Sequence, residues 1–417
     1  MKGNRAIVIA VLWVTALSGV WAQRLSMSPY SRYGYGQLES GAFGAMRSMG
    51  GLGYGIRRSG NIDAMNPASY TAVDSLTFMM ELGVSGKVEG LKTDAGSFNR
   101  MSGMLDYVAF QLPLTKWMAL SFGLNPRTSV GYDYQINHTI RTHELTDSVN
   151  VQQAYSGDGG ISQVYLGLSF DILDRVALGV NAHYLFGEME NERDVLFPVN
   201  ILYEPTIQTT TLKVNTFTVD FGAQYHQQVR GGKDELTIGA AYALKLPINL
   251  QGQTVTYTND TVYVNDLKGF DFPQTVGVGV SYRWSDRLTV GADYEWKDFS
   301  NALFYQVNDT LVTRSKWVLG AEYVHDLHSK KYYDRIRFRA GMSYANSYVR
   351  VNGHTYGEWA VTLGFGFPLP STQTLLNLHL EYGHAGSLGT TQLVDQYFKF
   401  GLGVTLNERW FVKRKLN

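Results

Sequence analysis

The 417-residue sequence contains no cysteine. That excludes disulfide frameworks, CxxC redox sites, thiolate zinc sites and cysteine nucleophiles, as well as a lipid-modified N-terminal cysteine. Charge is scarce, at 17% of residues against a usual ~25%. Lys and Arg (36) balance Asp and Glu (36), so the basic excess of a nucleic-acid binder is missing. Beyond the N-terminus, no apolar run approaches the ~20 residues that a membrane-spanning helix needs. Glycine is plentiful (44 residues), as is tyrosine (27), and aromatics make up 13%. A disordered chain does not carry so many aromatic and β-branched residues.

Residues 1–22 read as an export address. Lys2 and Arg5 precede an apolar run from Ala6 to Val20, which ends in Val20-Trp21-Ala22. A charged start, an apolar middle and a small residue at the end make a secretory signal peptide. The mature chain is expected to begin at Gln23.

From Ser75 onward the dominant period is two. Val276, Val278, Val280, Tyr282 and Trp284 alternate with Thr275, Gly277, Gly279, Ser281 and Arg283. Trp359, Val361, Leu363, Phe365 and Phe367 alternate with Glu358, Ala360, Thr362, Gly364 and Gly366. In a strand this places large apolar groups on one side and small or polar groups on the other. A soluble sandwich alternates in the same way. The apolar face here ends in aromatic pairs, namely Tyr282/Trp284, Tyr294/Trp296 and Tyr184/Phe186. Aromatic girdles of outer-membrane barrels give that pattern.

About 14 strands fit between residues 75 and 406, with short connections near Leu114-Thr115, Leu173 and Ser285. The intervening connections, 135–160, 191–210 and 249–272, are long and polar. Short periplasmic turns alternating with long outer loops define a transmembrane antiparallel β-barrel, an all-β fold. Gly401, Val404 and Leu406 suit an outer-membrane insertion signal in the last strand. The chain continues, however, into a basic tail over residues 407–417.

Residues 23–74 are too long and too apolar for a linker. Met46, Met49, Leu52, Ile56, Ile62, Met65 and Tyr70 are more apolar groups than a solvated tail carries. This segment is expected to fold as a plug, or hatch, inside the barrel, with inward glycines leaving it room. Gly51-Leu52-Gly53-Tyr54-Gly55 lacks the last glycine of GxGxxG spacing and has no βαβ context, so it is not read as a phosphate loop.

A signal peptide, a plug of this length, Asn66-Pro67-Ala68 shortly before the first strand and about 14 strands together resemble the FadL/TodX-like outer-membrane transporters. The resemblance implies passive uptake of small, fatty-acid-like hydrophobic compounds across the outer membrane of a Gram-negative bacterium. It also implies a sideways exit beside a kinked third strand. Other family-like chains with the Ser28-to-Gly34 and Glu408-to-Phe411 features look like subunits of outer-membrane assembly or secretion machines. The alternative role is therefore a non-enzymatic accessory or scaffold subunit. The expected partners are outer-membrane lipid with hydrophobic small molecules, or else other outer-membrane proteins.

Asn125-Pro126 lies in the middle of the third strand. Proline cannot donate to a sheet ladder, so it marks either a kink with a lateral gap or simply the upper end of the membrane part. The expected polar lining of the lumen is Glu81, Asp220, Asp293, Glu295, Arg337, Arg339, Glu358 and Glu381, with His183, His226, His379 and Lys399 on the same face. Lumen polarity is the default in such barrels, and these groups are read as charge pairs that hold the plug. No catalytic residues, metal ligands or cofactor are expected. His143-Glu144 lacks a second zincin histidine, and Asp260, Asp266 and Asp271 fit no EF-hand spacing.

Overall fold

The computed structural model describes residues 28–93, 96–140, 149–198, 204–248, 250–258, 261–304, 311–369 and 374–409. The signal-peptide residues 1–22, His143-Glu144, Asp260 and residues 410–417 of the tail lie outside them.

Fourteen antiparallel strands close on themselves as a barrel. They are β1 (Thr77–Thr93), β2 (Gly96–Pro113), β3 (Met118–Ile140), β4 (Val149–Leu173) and β5 (Val176–Leu196). Then come β6 (Thr206–Val229), β7 (Asp234–Ala243), β8 (Thr275–Trp284), β9 (Leu288–Lys297) and β10 (Arg314–Val324). The last are β11 (Arg337–Asn346), β12 (Gly357–Pro368), β13 (Leu375–Ser387) and β14 (Leu393–Arg409). Closure is made by β14 on β1, from Leu393 opposite Thr93 to Arg409 opposite Thr77. A closed barrel leaves no unpaired edge in hydrocarbon.

The period-two pattern sets which way each side chain faces. On β8, Val278 and Val280 are exposed, while Gly277, Gly279 and Ser281 between them are buried. On β10, Trp317 and Leu319 face outward and Val318 inward. The expected aromatic belt is present, with Tyr184 against Phe186 and Phe217 and Tyr294 against Trp317. The shortest strands, such as β7, have 10 residues. At ~3.3 Å per residue on a tilted strand, that length crosses the apolar band of an outer-membrane barrel.

The expected long polar loops are largely strand. Residues 135–140 and 149–160 continue β3 and β4 as a paired ladder, as do 191–196 and 206–210 in β5 and β6. Residues 249–272 hold a hairpin, Leu250–Thr258 with Thr261–Leu267, and its first strand pairs with β6. Polar cross-strand pairs such as Thr210 with Thr254 replace the apolar alternation there.

One boundary in the wall is incomplete. β2 and β3 pair only from Pro113 opposite Ala119 up to Val108 opposite Leu124. Above that level β2 continues on β1 and β3 on β4, with a bulge in β3 between Pro126 and Thr128. Part of the edge of β3 is taken by a short strand, Gln37–Leu38, which pairs with Ser129 and Thr128.

Candidate functional site

The most ordered chemistry lies where residues 28–73 meet the inward side chains of the barrel. The N-terminal segment has little regular structure, namely a 3-10 turn at Pro29–Arg32, a helical turn at Gly44–Arg47 and a 3-10 turn at Pro67–Ala72. Its turns satisfy part of its backbone, as where the Gly51 amide donates to Met46 O and the Ile56 amide to Gly53 O, and the wall supplies further partners.

The Gly53 and Tyr54 amides donate to Asp293 Oδ2 at 2.6 and 3.0 Å. The Tyr54 hydroxyl donates to Glu295 Oε2 at 2.6 Å, and Glu295 pairs with Lys297 at 3.0 Å. The glycine-rich run that resembled no phosphate loop is thus still an anion-binding turn. Its anion is a carboxylate of the wall. The Ile62 amide donates to Glu81 Oε1 at 3.2 Å, and Glu81 is fully buried.

Asn66 caps the 3-10 turn that follows it. Its Oδ1 accepts from the Ala68 amide at 3.2 Å, and its Nδ2 donates to Tyr54 O at 2.8 Å and Ala223 O at 3.3 Å. Pro67 fits the first position of that turn because it has no N–H to satisfy. The turn is seated directly on wall glycines. A Cβ on Gly179 would come within 2.3 Å of the Pro67 backbone, and one on Gly239 within 1.8 Å of Tyr54 O. Gly341 is as close to Gly50. These inward glycines let two backbones touch.

Ion pairs join the segment to opposite sides of the barrel. Arg47 meets Asp106 at 2.8 Å, with Lys399 on the same carboxylate at 3.3 Å. Arg57 meets Asp171 at 3.0 Å. Arg58 meets Glu322, which Arg339 also contacts at 2.6 Å and Arg337 at 3.8 Å. Arg337 and Arg339 therefore share one acid, and that acid is on the neighbouring strand. Sequence reasoning passed over Glu322, although it shares the inward parity of Val318 and Gly320. Within the segment, burial pushes the Asp63 carboxyl well above its ordinary range, opposed by the Met65 amide that it accepts.

The other expected lining residues are also inward but do not converge. Asp220 accepts from His183 Nε2 at 2.7 Å. Glu358 pairs with Arg314 at 2.8 Å. Glu381 accepts from the Tyr397 hydroxyl at 2.7 Å and lies 3.2 Å from His379. A cavity of about 190 Å³ is lined by Lys87, Lys316, Glu358, Glu381 and Lys399 among others. A second, of about 90 Å³, is lined by Asn125, Pro126, His183, Asp220 and Glu295. Asn125 is buried and its Oδ1 accepts from Gln163 at 3.0 Å. Of the loop aspartates, Asp271 pairs with Lys245 at 3.2 Å and Asp266 is exposed.

A model of the BamG family matches residues 4–417. The chain belongs to the BamG family. Among curated proteins none matches it. Solved structures similar to this BamG-family chain include the Ralstonia pickettii toluene transporter TbuX, at 17% identity and TM-score 0.60, covering 89% of this chain and 99% of that one. A Pseudomonas aeruginosa FadL homologue matches at 13% identity and TM-score 0.62, covering 89% and 99%. The Pseudomonas putida toluene transporter TodX matches at 15% identity and TM-score 0.58, covering 90% and 100%. At such identities the likeness is one of fold. The BamG-family chain thus shares its fold with the toluene transporters TbuX and TodX.

Proposed function

We propose that this BamG-family protein is a non-enzymatic accessory or scaffold subunit of an outer-membrane protein assembly or secretion complex. In this reading residues 23–74 act as a plug in an outer-membrane barrel, behind a signal peptide over residues 1–22.

The observation that carries it is the chemistry of the lumen. Sites for hydrophobic ligands are mostly apolar and usually ~300–1,000 Å³. Two cavities between plug and wall, of about 190 and 90 Å³, set lysines, arginines and carboxylates among their lining residues. An apolar cavity of about 650 Å³ is lined instead by outward residues such as Val278, Val280, Trp317 and Leu319, on the lipid side of the wall. A hydrocarbon entering the two inner cavities would separate charges from their partners for a small apolar return, from groups such as Leu38 and Met65. The plug is also held on many sides, by Asp106, Asp171, Asp293 and Glu322.

One observation favours the second reading, passive uptake of small hydrophobic compounds. β2 and β3 part above Leu124, beside the bulge at Pro126, in a fold shared with toluene transporters. That parting would be a lateral exit if residues 31–39 moved. They hold it closed through the Ser31 hydroxyl on Gly131 O at 3.0 Å and the Glu39 amide on Arg127 O at 2.9 Å.

Purification from outer membranes in mild detergent separates the two readings. The scaffold reading expects other proteins at fixed stoichiometry. A chain that purifies alone with fatty acid or aromatic hydrocarbon inside it would reverse the choice.

A further inference from the structure

Beyond the aromatic belt, β5, β6 and the hairpin Leu250–Thr258/Thr261–Leu267 continue outward as one sheet. Its outward face carries two features that a solvated surface does not need. The first is a row of acids. Glu188, Glu190, Glu192 and Asp194 alternate along one face of β5, immediately after Tyr184 and Phe186. Register places Asp158 of β4 opposite Glu190. Among the described residues only Lys213 pairs with them on that face, at 3.3 Å from Glu188. Like charges at two-residue spacing on one strand face repel, and neighbouring strands here add another acid.

The second feature is an apolar patch at the far end of the same face. Ile207 lies opposite Tyr257, which lies opposite Val262, and Val264 is two residues further along. Tyr257, Val262 and Val264 are 49%, 52% and 54% exposed. Lipid does not account for this patch. Glu188 and Glu190 stand between its level and the aromatic belt, Asp194 lies directly opposite Ile207, and Phe186 to Asp194 spans on the order of 25 Å along the strand. An apolar patch in water, rimmed by charge of one sign, marks a protein-docking surface.

We propose that this outward face docks a partner protein whose contact surface sets an apolar strip beside lysines or arginines. The apolar strip covers Ile207, Tyr257, Val262 and Val264, and the basic groups neutralise Glu188 to Asp194. Charge complementarity of this kind fixes register and raises the association rate. The proposal rests on the scaffold reading above and names the face through which it would act.

The test uses the full chain in mild detergent. Three forms are compared: wild type, Glu190→Lys with Asp194→Lys, and Tyr257→Ser with Val264→Ser. Each is purified from its own membranes, and heat-dependent gel mobility shows that each barrel is folded. A synthetic peptide alternating lysine with valine is the defined probe, against a glutamate–valine control. The expected result is that both variants lose the stoichiometric partner and weaken the lysine peptide tenfold or more. The control peptide does not bind, and salt weakens the wild-type complex.

Partner retained by both folded variants overturns this inference and leaves the scaffold reading standing. Wild type without any protein partner overturns both. Binding abolished equally by a divalent-ion chelator in all three forms would mean that the acids hold cations bridging lipid phosphates, and it also overturns the inference.

Discussion

The Gly53 amide donates to Asp293 Oδ2 at 2.6 Å, across the boundary between the N-terminal segment and the wall. The Tyr54 amide reaches the same oxygen at 3.0 Å. One carboxylate therefore satisfies two amides of a glycine turn whose own backbone bond runs from the Ile56 amide to Gly53 O at 3.1 Å. Asp293→Leu leaves these donors buried and unpaired, at about 1–3 kcal/mol each. The expected outcome is a folded barrel whose N-terminal segment is cut by added protease at a temperature where wild type is resistant. Asp293→Asn keeps an acceptor oxygen and should lie between the two.

Gly239 tests the contact of backbone on backbone. A Cβ there would stand 1.8 Å from Tyr54 O, so Gly239→Ala must move the turn or the wall. Gly60 has open space around it, and Gly60→Ala is the matched control. Heat-dependent gel mobility should shift to lower temperature for the first and not for the second. Equal behaviour of the two would remove the claim that inward glycines seat the N-terminal segment.

Glu322 holds Arg58, Arg337 and Arg339. Removing one member of a buried charge group costs about 3–5 kcal/mol, because the others stay charged. Glu322→Gln should therefore destabilise more than Arg58→Leu combined with Glu322→Gln, since the first leaves three cations without their acid and the second leaves two. A double-mutant cycle in denaturant reads the coupling, and additive losses would mean that Arg58 and the wall acid act independently.

Asp63 gives a pH prediction. Burial raises its folded pKa above the ordinary carboxylate value, whereas an unfolded Asp titrates near ~3.9. The folded state then binds the proton more tightly. The stability this contributes is fully present below about pH 4 and is lost as pH rises toward the raised value. Asp63→Asn cannot ionise, and its Oδ1 can still accept from the Met65 amide. The stability of wild type minus that of Asp63→Asn should fall with rising pH from about pH 4 and then level off. A difference that rises with pH would reverse the assignment.

The strands were legible because lipid on one side and a polar lumen on the other enforce period two at every residue. Where that constraint ends, the signal ends with it. The hairpin Leu250–Thr258/Thr261–Leu267 is built from Thr, Gln and Val pairs in water, and its sequence reads as a polar loop. The extensions of β3 to β6 were missed for the same reason. Glu322 was within reach of the parity rule, since Trp317, Leu319, Ala321 and Tyr323 mark the other face of β10. The charges Arg47, Arg57 and Arg58, set among Met46, Met49, Leu52 and Ile56, were a further signal, because buried cations need acids. Which acid each would meet depends on the fold of a segment with almost no periodic structure, and no local pattern encodes that.

Native mass spectrometry of the chain released from mild detergent tests the charged, filled lumen most directly. The account predicts the mass of the polypeptide with protein partners at fixed stoichiometry, and no bound hydrocarbon. A fatty-acid or aromatic adduct that survives detergent removal, and disappears when the cavity beside Asp220 and Pro126 is altered, would contradict it.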